Sequence, residues 1–246
     1  MDHKVLSIDP AMRSYQDVGV CVLEGARRRS KLTTIPPSEL NLTGKPDPSK
    51  LASAILDYCL RHNIKVVLLD GPQAWKDPDS QPPYSRLCEK ELATPGKTGP
   101  FGTVRPQSFS RFVQLCIDVF RHLLEGGAEL VQRSPINIPE SLLAVETFPT
   151  SAWRYLGQKP LPSKQRATAE DIRDHVRALR DKFHLEITGE PNHDQVQAAV
   201  AGLAGLSILE ADASGYCLSG SPPVRKGENH CEGFIVNPRI ARFDLP

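Results

Sequence analysis

The sequence lacks the features that define several large classes of protein. No apolar run approaches the roughly 18 to 20 residues that span a bilayer, and the residues before Val5 contain no apolar signal-peptide core. The 30 Lys and Arg residues nearly balance 29 Asp and Glu, so no general basic field indicates a nucleic-acid partner. With 39% hydrophobic residues, the chain is not disordered, collagenous or coiled coil. We expect one cytoplasmic domain spanning residues 1–246, with no membrane partner.

Paired cysteine and glycine motifs are also missing. The six cysteines form no CxxC pair, which favours reduced thiols over a zinc or disulfide framework. The string Pro95-Gly96-Lys97-Thr98-Gly99 is not a Walker loop, because Glu91 stands where the first glycine would be required. Three consecutive arginines at 27–29 form a basic cluster, which we interpret as a solvated hairpin tip.

Proline, in contrast, is abundant, with 22 residues in the chain. Residues 71–106 contain seven of these prolines and several glycines, which predicts a long, structureless loop inserted after a strand. Loops of this length are usually functional or disordered. Four aromatic residues lie in or beside the loop and either stack on unpaired bases or anchor the loop to the domain: Trp75, Tyr84, Phe101 and Phe109.

Hydrophobic periodicity predicts an α/β fold. Strands at 5–9, 18–23 and 31–35 are joined by short turns and indicate an antiparallel meander. A helix at 49–63, capped by Ser49, then leads to a buried strand at 64–69 that pairs in parallel. Further helices are expected at 108–124, 150–157, 168–183 and 192–206, with strands at 142–146 and 232–236.

Acidic residues recur where these predicted elements end or begin. Asp9, Asp70 and Glu146 each fall at or near the end of an apolar strand, and Asp194 opens the last helix. If the strands are neighbours, the carboxylates crowd at one edge, where mutual repulsion raises their pKa values unless a cation neutralises them. Oxygen ligands select Mg²⁺ or Mn²⁺, and two such ions can activate water for phosphodiester hydrolysis.

The motifs around these acids resemble a known family. The element order is similar to the RNase H-like fold, and the family of predicted RNase H-like nucleases filed as a domain of unknown function has comparable motifs. In this chain the corresponding motifs are Ile8-Asp9, Leu69-Asp70-Gly71-Pro72, Arg86-Leu87-Cys88-Glu89, Val145-Glu146-Thr147-Phe148-Pro149-Thr150, Asp194 to Ala199, and Cys231 to Val236.

This resemblance implies a Mg²⁺- or Mn²⁺-dependent nuclease acting on DNA or RNA, with Asp9, Asp70, Glu146 and Asp194 as catalytic metal ligands. Gln197 departs from the family pattern, because an acid often stands one turn after the first acid of that helix. This departure disfavours a symmetrical two-metal site.

Four further residues are candidate substrate contacts. Arg86 and Glu89 share one face of a short helical turn, so Arg86 could meet a phosphate with Glu89 orienting it, or the two could form a plain salt bridge. Lys164 is a further phosphate candidate. His193 is a candidate proton shuttle or phosphate contact, unless it simply faces water at the start of the helix.

Two other functions remain open at this level. A non-catalytic RNase H-like module for binding nucleotide, nucleic acid or protein is favoured mildly by Gln197 and the neutral charge, since nucleases that grip long duplexes usually need a basic face. A nucleotide phosphohydrolase or actin-like phosphotransferase would share Asp9, but the first strand ends in Asp9-Pro10-Ala11-Met12 instead of a glycine-rich phosphate turn.

Overall fold

The structure is a computed structural model that describes residues 4–26 and 29–240. Arg27 and Arg28 of the predicted basic tip lie outside this range. The described residues form eleven strands: β1 (Lys4–Asp9), β2 (Gly19–Ala26), β3 (Arg29–Thr34), β4 (Val66–Asp70), β5 (Lys97–Thr98), β6 (Val104–Arg105), β7 (Glu129–Leu130), β8 (Leu143–Thr147), β9 (Leu185–Thr188), β10 (Tyr216–Lys226) and β11 (Asn229–Pro238). They also form six α-helices: α1 (Pro48–Arg61), α2 (Leu87–Glu91), α3 (Ser110–Glu125), α4 (Pro149–Tyr155), α5 (Ala169–Asp181) and α6 (His193–Leu209).

The main sheet has the strand order β10-β11-β8-β4-β1-β2-β3-β9, with β7 paired to β8. Strands β1, β2 and β3 form the predicted antiparallel meander. Strands β1, β4, β8 and β11 run parallel to one another. Helix α1 connects β3 to β4, which pairs in parallel with β1. The predicted fold class is confirmed as an α/β fold, in which a mixed sheet of parallel and antiparallel strands is flanked by helices.

Each face of the sheet is covered because side chains alternate along the strands. In β1, Val5 faces the cluster built with α4, α5 and α6, whereas Leu6 and Ile8 face the cluster built with α1 and α3. Helix α6 is buried on almost every side, which explains its small residues. At Gly202, a Cβ would lie only 2.5 Å from Leu23 Cδ1, so a larger residue would push α6 off the sheet.

The segment 71–106 is more ordered than its composition predicts. It contains α2 and the β5–β6 hairpin, so the expectation of a structureless loop is wrong. Trp75 is buried and pairs its backbone with Cys231 of β11, which makes it an anchor of the segment. Tyr84 instead lies exposed, with the Arg105 guanidinium 4.8 Å from its ring centroid. Long-range contacts to the hairpin β10–β11 order this segment, and a proline count cannot reveal them.

One local prediction needs correction, and one predicted strand is longer than expected. Asp47, not Ser49, caps α1, because its carboxylate accepts a hydrogen bond from the Lys50 amide at 2.8 Å. The predicted strand at 232–236 is one arm of a long hairpin, whose other arm, β10, includes Pro222 and Pro223 at an irregularity in the pairing. Among the described residues, no helix is long and apolar enough to cross a membrane.

Candidate active site at the ends of the parallel strands

Two aspartates lie side by side where β1 and β4 end. The parallel register pairs Ile8 with Leu69, so Asp9 and Asp70 follow at the same edge of the sheet. Both side chains are partly exposed and line a cavity of about 430 Å³. The chain turns away immediately afterwards, at Pro10 and at Gly71. The crowding that the sequence predicts therefore exists for these two carboxylates.

The electrostatics of this pair are unfavourable without a cation. Burial, together with the charges of Asp70 and Asp194, raises the pKa of Asp9 well above its ordinary value, although Lys164 opposes the shift. Burial and the neighbouring Glu146 charge raise the pKa of Asp70 to about 7. No hydrogen bond or salt bridge from the described residues reaches either carboxylate. Near neutral pH, the pair therefore attracts either protons or a cation.

Asp194 reaches the same edge because α6 begins directly above the start of β2. Gly19, the register partner of Asp9, packs against the backbone of Asp194 and Gln195. A Cβ at Gly19 would overlap the Asp194 carbonyl group. The thiol of Cys21 hydrogen-bonds the Gln195 carbonyl at 3.2 Å and fixes the helix at this point. A glycine in β2 is thus a condition for bringing Asp194 close to Asp9.

We expect Gly19→Ala to lower the unfolding free energy by about 1 to 3 kcal/mol, the usual cost of overpacking a tight contact. The added methyl group must displace the first turn of α6 and with it Asp194. Urea denaturation checks the stability, and a chemical-shift change of the His193 ring in NMR spectra reports the displacement. A variant with wild-type stability and an unchanged His193 signal would contradict this account.

The Asp194 carboxylate is already engaged by two basic side chains. Lys164 Nζ lies 2.5 Å from Asp194 Oδ2 and 2.9 Å from Asp17 Oδ1. His193 Nδ1 lies 3.0 Å from Asp194 Oδ1, and its Nε2 lies 2.8 Å from the Pro162 carbonyl. Burial opposes ionisation of Asp194, but these contacts outweigh it and hold the Asp194 pKa below its ordinary value. His193 is thus engaged with its neighbours instead of simply facing water.

Glu146 lies in a separate buried network next to the aspartate pair. Its two carboxylate oxygens accept hydrogen bonds from Arg86 Nη1 and Nη2 at 2.7 and 2.6 Å. One of them also accepts a hydrogen bond from the backbone amide of Gln73 at 2.9 Å. Arg86 Nε contacts Glu89 at 3.1 Å and Thr98 at 3.0 Å. Burial raises the pKa of Glu146 in spite of the Arg86 charge, which lowers it.

This network changes the roles expected of Arg86 and Glu89. The two do share one helical turn, since Arg86 is the N-cap of α2 and Glu89 its third residue. Both are almost fully buried. Glu89 accepts four hydrogen bonds from Arg86 and Thr98, whereas Arg86 lies at the wall of the cavity with its guanidinium held by Glu89, Thr98 and Glu146. Sequence spacing predicted their mutual contact, but it gave no sign that Glu146, sixty positions later, would complete the bidentate pair.

Gln197, which follows Asp194 by one turn of α6, also has a hydrogen-bonding partner. The amide oxygen of Gln197 accepts a hydrogen bond from the Trp153 indole at 2.9 Å. Among the described residues, no group of three His, Cys, Asp or Glu side chains is arranged to hold a metal ion. Asp9 and Asp70 nevertheless fit a hard divalent cation, because Mg²⁺ is commonly bound by one or two carboxylates and completed by water and substrate phosphates.

Sequence reasoning missed three residues that contribute to the site. Asp17 and Asp194 both contact Lys164. The backbone amide of Gln73 donates a hydrogen bond to Glu146, and Thr147 lines the cavity beside Asp70. Thr147 could have been found, because it pairs in register with Asp70 at the end of a strand. Asp17 is the last residue of a single turn of 3₁₀ helix before β2, and no local pattern distinguishes it from other surface acids.

Comparison with known proteins gives a likeness at the level of overall structure. No family model matches the chain, and no curated protein matches it. A solved structure of Thermus thermophilus RuvC aligns with a TM-score of 0.41 at 13% identity, covering 85% of this chain and 98% of that one. T. thermophilus RuvC in complex with a Holliday junction substrate aligns with a TM-score of 0.40 at 13% identity, covering 86% and 98%. The chain is thus similar to RuvC over most of its length, at low sequence identity.

Proposed function

We propose that the protein is a Mg²⁺- or Mn²⁺-dependent nuclease that hydrolyses phosphodiester bonds of nucleic acid at the Asp9–Asp70 edge. The observation that carries this proposal is the pair itself. Two neighbouring carboxylates, raised in pKa and without a hydrogen-bonding partner among the described residues, line an open cavity. Such a pair costs stability when ionised, and natural proteins retain such arrangements mainly at functional sites.

Within this proposal, Asp9 and Asp70 hold the cation, which would neutralise phosphate charge and activate water for attack. Asp194 completes the acidic edge, with Lys164 and His193 fixing its orientation. Because Lys164 already supplies a positive charge at Asp194 and Gln197 is bound to Trp153, we favour one bound cation over two. In this arrangement Glu146 is not a metal ligand. It forms a salt bridge with Arg86, and its charge raises the pKa of Asp70.

Calorimetric titration of Mn²⁺ into metal-free protein tests the site. We expect one saturable site per chain in the wild type and none in the double variant Asp9→Asn, Asp70→Asn. Asp57→Asn, which removes an exposed carboxylate of α1, is the matched control and should bind as the wild type does. Cleavage of single- and double-stranded DNA and RNA is then assayed on the same samples, with and without EDTA.

Two outcomes would redirect the proposal. Metal binding without cleavage of any nucleic acid, but with release of phosphate from nucleotides, would favour a nucleotide phosphohydrolase. No metal binding in the wild type, together with metal-independent binding of nucleic acid, would favour the non-catalytic module, for which the neutralisation of Asp194 by Lys164 is the supporting observation. Cleavage that persists in the double variant would contradict the assignment of the site.

A further inference from the structure

The cavity beside the aspartate pair has aromatic walls. Phe109, Phe112 and Phe148 all line it, and all three side chains are partly exposed instead of being buried in the core. Phe109 packs on the cluster around Trp75 and Val113, while Phe148 packs on the cluster around Cys88 and Ile235. Separate parts of the fold therefore hold the rings in place around one space.

The positions of these rings depend on two close approaches. Gly71 has φ +119°, and a Cβ there would clash with Cys116 and lie 3.3 Å from the Phe112 ring. At Gly96, in the segment between α2 and β5, a Cβ would lie 3.2 Å from the Phe109 ring. The cavity is thus bounded by backbone that runs directly against the rings, which gives it defined walls.

A buried hydroxyl group in the wall has no partner. Thr147 is 1% exposed, lines the cavity, and its Oγ1 is without a hydrogen bond among the described residues. Buried polar groups are nearly always satisfied, so this hydroxyl, in a residue that lines the cavity, is a candidate contact for a bound molecule. Thr147 follows Glu146 directly and pairs in register with Asp70, so this hydroxyl lies close to the proposed metal edge.

The size and chemistry of the space restrict what it can hold. About 430 Å³ falls within the roughly 300 to 1,000 Å³ of pockets for small ligands. Aromatic rings stack well on a flat nucleobase, and the hydroxyl can donate to or accept from its edge. A base that remains paired in a duplex cannot enter such a recess, because it must first leave the stack.

We propose that this cavity receives one unpaired nucleotide of the substrate, with its base against the phenylalanines, its edge at Thr147 and its phosphate at Asp9 and Asp70. The inference rests on the proposed function and deepens it, because it specifies single-stranded or extruded nucleotides as the substrate class. Continuous, fully paired duplex is then a poor substrate even when the metal is bound.

Binding is tested without metal, in EDTA at pH 6, with a single-stranded DNA oligonucleotide that carries one 2-aminopurine. We expect a saturable fall in 2-aminopurine emission as the base stacks, and no such change when the same base is paired in a duplex. Phe109→Leu should weaken binding about fivefold or more, because it removes a stacking surface. Phe101→Leu, on the exposed outside of the same segment, should bind as the wild type does.

Thr147→Val separates a ligand contact from a structural role. Valine keeps the shape and removes the unpaired hydroxyl, so the melting temperature should stay the same or rise, whereas the affinity should fall about 2- to 10-fold. Thr43→Val is the control, because Thr43 is exposed and far from Thr147 in the sequence. It should leave the melting temperature and the affinity unchanged.

The results also separate this inference from the proposed function. Equal affinity for paired and unpaired probes, or wild-type affinity in both Thr147→Val and Phe109→Leu, would overturn the inference. If metal-dependent cleavage is nevertheless present, the proposed nuclease stands and only the pocket assignment is wrong. If the probe binds as expected but no divalent metal supports cleavage, the unpaired-nucleotide site stands and the nuclease proposal is wrong.

Discussion

Asp70→Asn is expected to stabilise the metal-free protein at pH 8, although it removes a proposed metal ligand. In the folded chain the pKa of Asp70 is about 7, against an ordinary value of 3.8. The folded state therefore binds more protons than the unfolded state between about pH 4 and pH 7, and stability falls as pH rises through this window. Asparagine stays neutral at every pH, so the variant should gain on the order of 2 to 4 kcal/mol at pH 8.

Urea denaturation in EDTA at several pH values between 5 and 8 checks this prediction. The wild type should lose stability steadily over the range, whereas the Asp70→Asn profile should be flatter, with its residual slope due to Asp9. Mn²⁺ should restore the stability of the wild type at pH 8 and leave the variant unchanged, because the cation replaces the proton. Asp57→Asn serves again as the exposed control. A variant less stable than the wild type at pH 8 would contradict the assigned electrostatics.

Arg86→Met should be the most damaging single substitution near the site. The change leaves Glu89 and Glu146 buried without a counter-charge, since the Arg86 guanidinium contacts both carboxylates at 3.1 and 2.6 Å. Breaking a buried pair by removing one partner typically costs about 3 to 5 kcal/mol, because the remaining charge stays desolvated. Arg121→Met, which breaks an exposed ion pair of α3, should cost no more than about 1 kcal/mol.

Two further measurements test the cause of this loss. Without Arg86 the pKa of Glu146 must rise further, so the deficit of the variant should shrink as the pH is lowered. Adding Glu146→Gln to Arg86→Met should recover part of the lost stability, whereas Glu146→Gln alone should destabilise the protein. Additive effects of the two substitutions in this double-mutant cycle would mean that the pair is not coupled, contrary to the structure.

The sequence by itself predicted the meander of β1 to β3, the apolar strands β4 and β8, and the acids at or near the ends of β1, β4 and β8, but it did not predict β5, β6, β7, β9 or β10. Strands β1, β4 and β8 are short apolar runs that stop at turn-forming residues, so their ends can be recognised locally. Parallel pairing of such strands puts their carboxyl ends at one edge, so the sequence predicts that Asp9 and Asp70 are close together if β1 and β4 are neighbours. The start of α6 could also be predicted from the sequence, because Asn192 caps the helix with its own side chain.

Tertiary structure decided which charges meet. Asp194 contacts Lys164, thirty positions earlier, and Glu146 contacts Arg86, sixty positions earlier. No local pattern encodes these pairs, because they form only after α2 and the segment before α5 pack against the sheet. The ordering of residues 71–106 has the same origin, since their anchors lie in β11. Local periodicity predicts the long strands and helices that carry the acids, whereas the ionisation of the site depends on partners that only the folded chain brings within hydrogen-bonding distance.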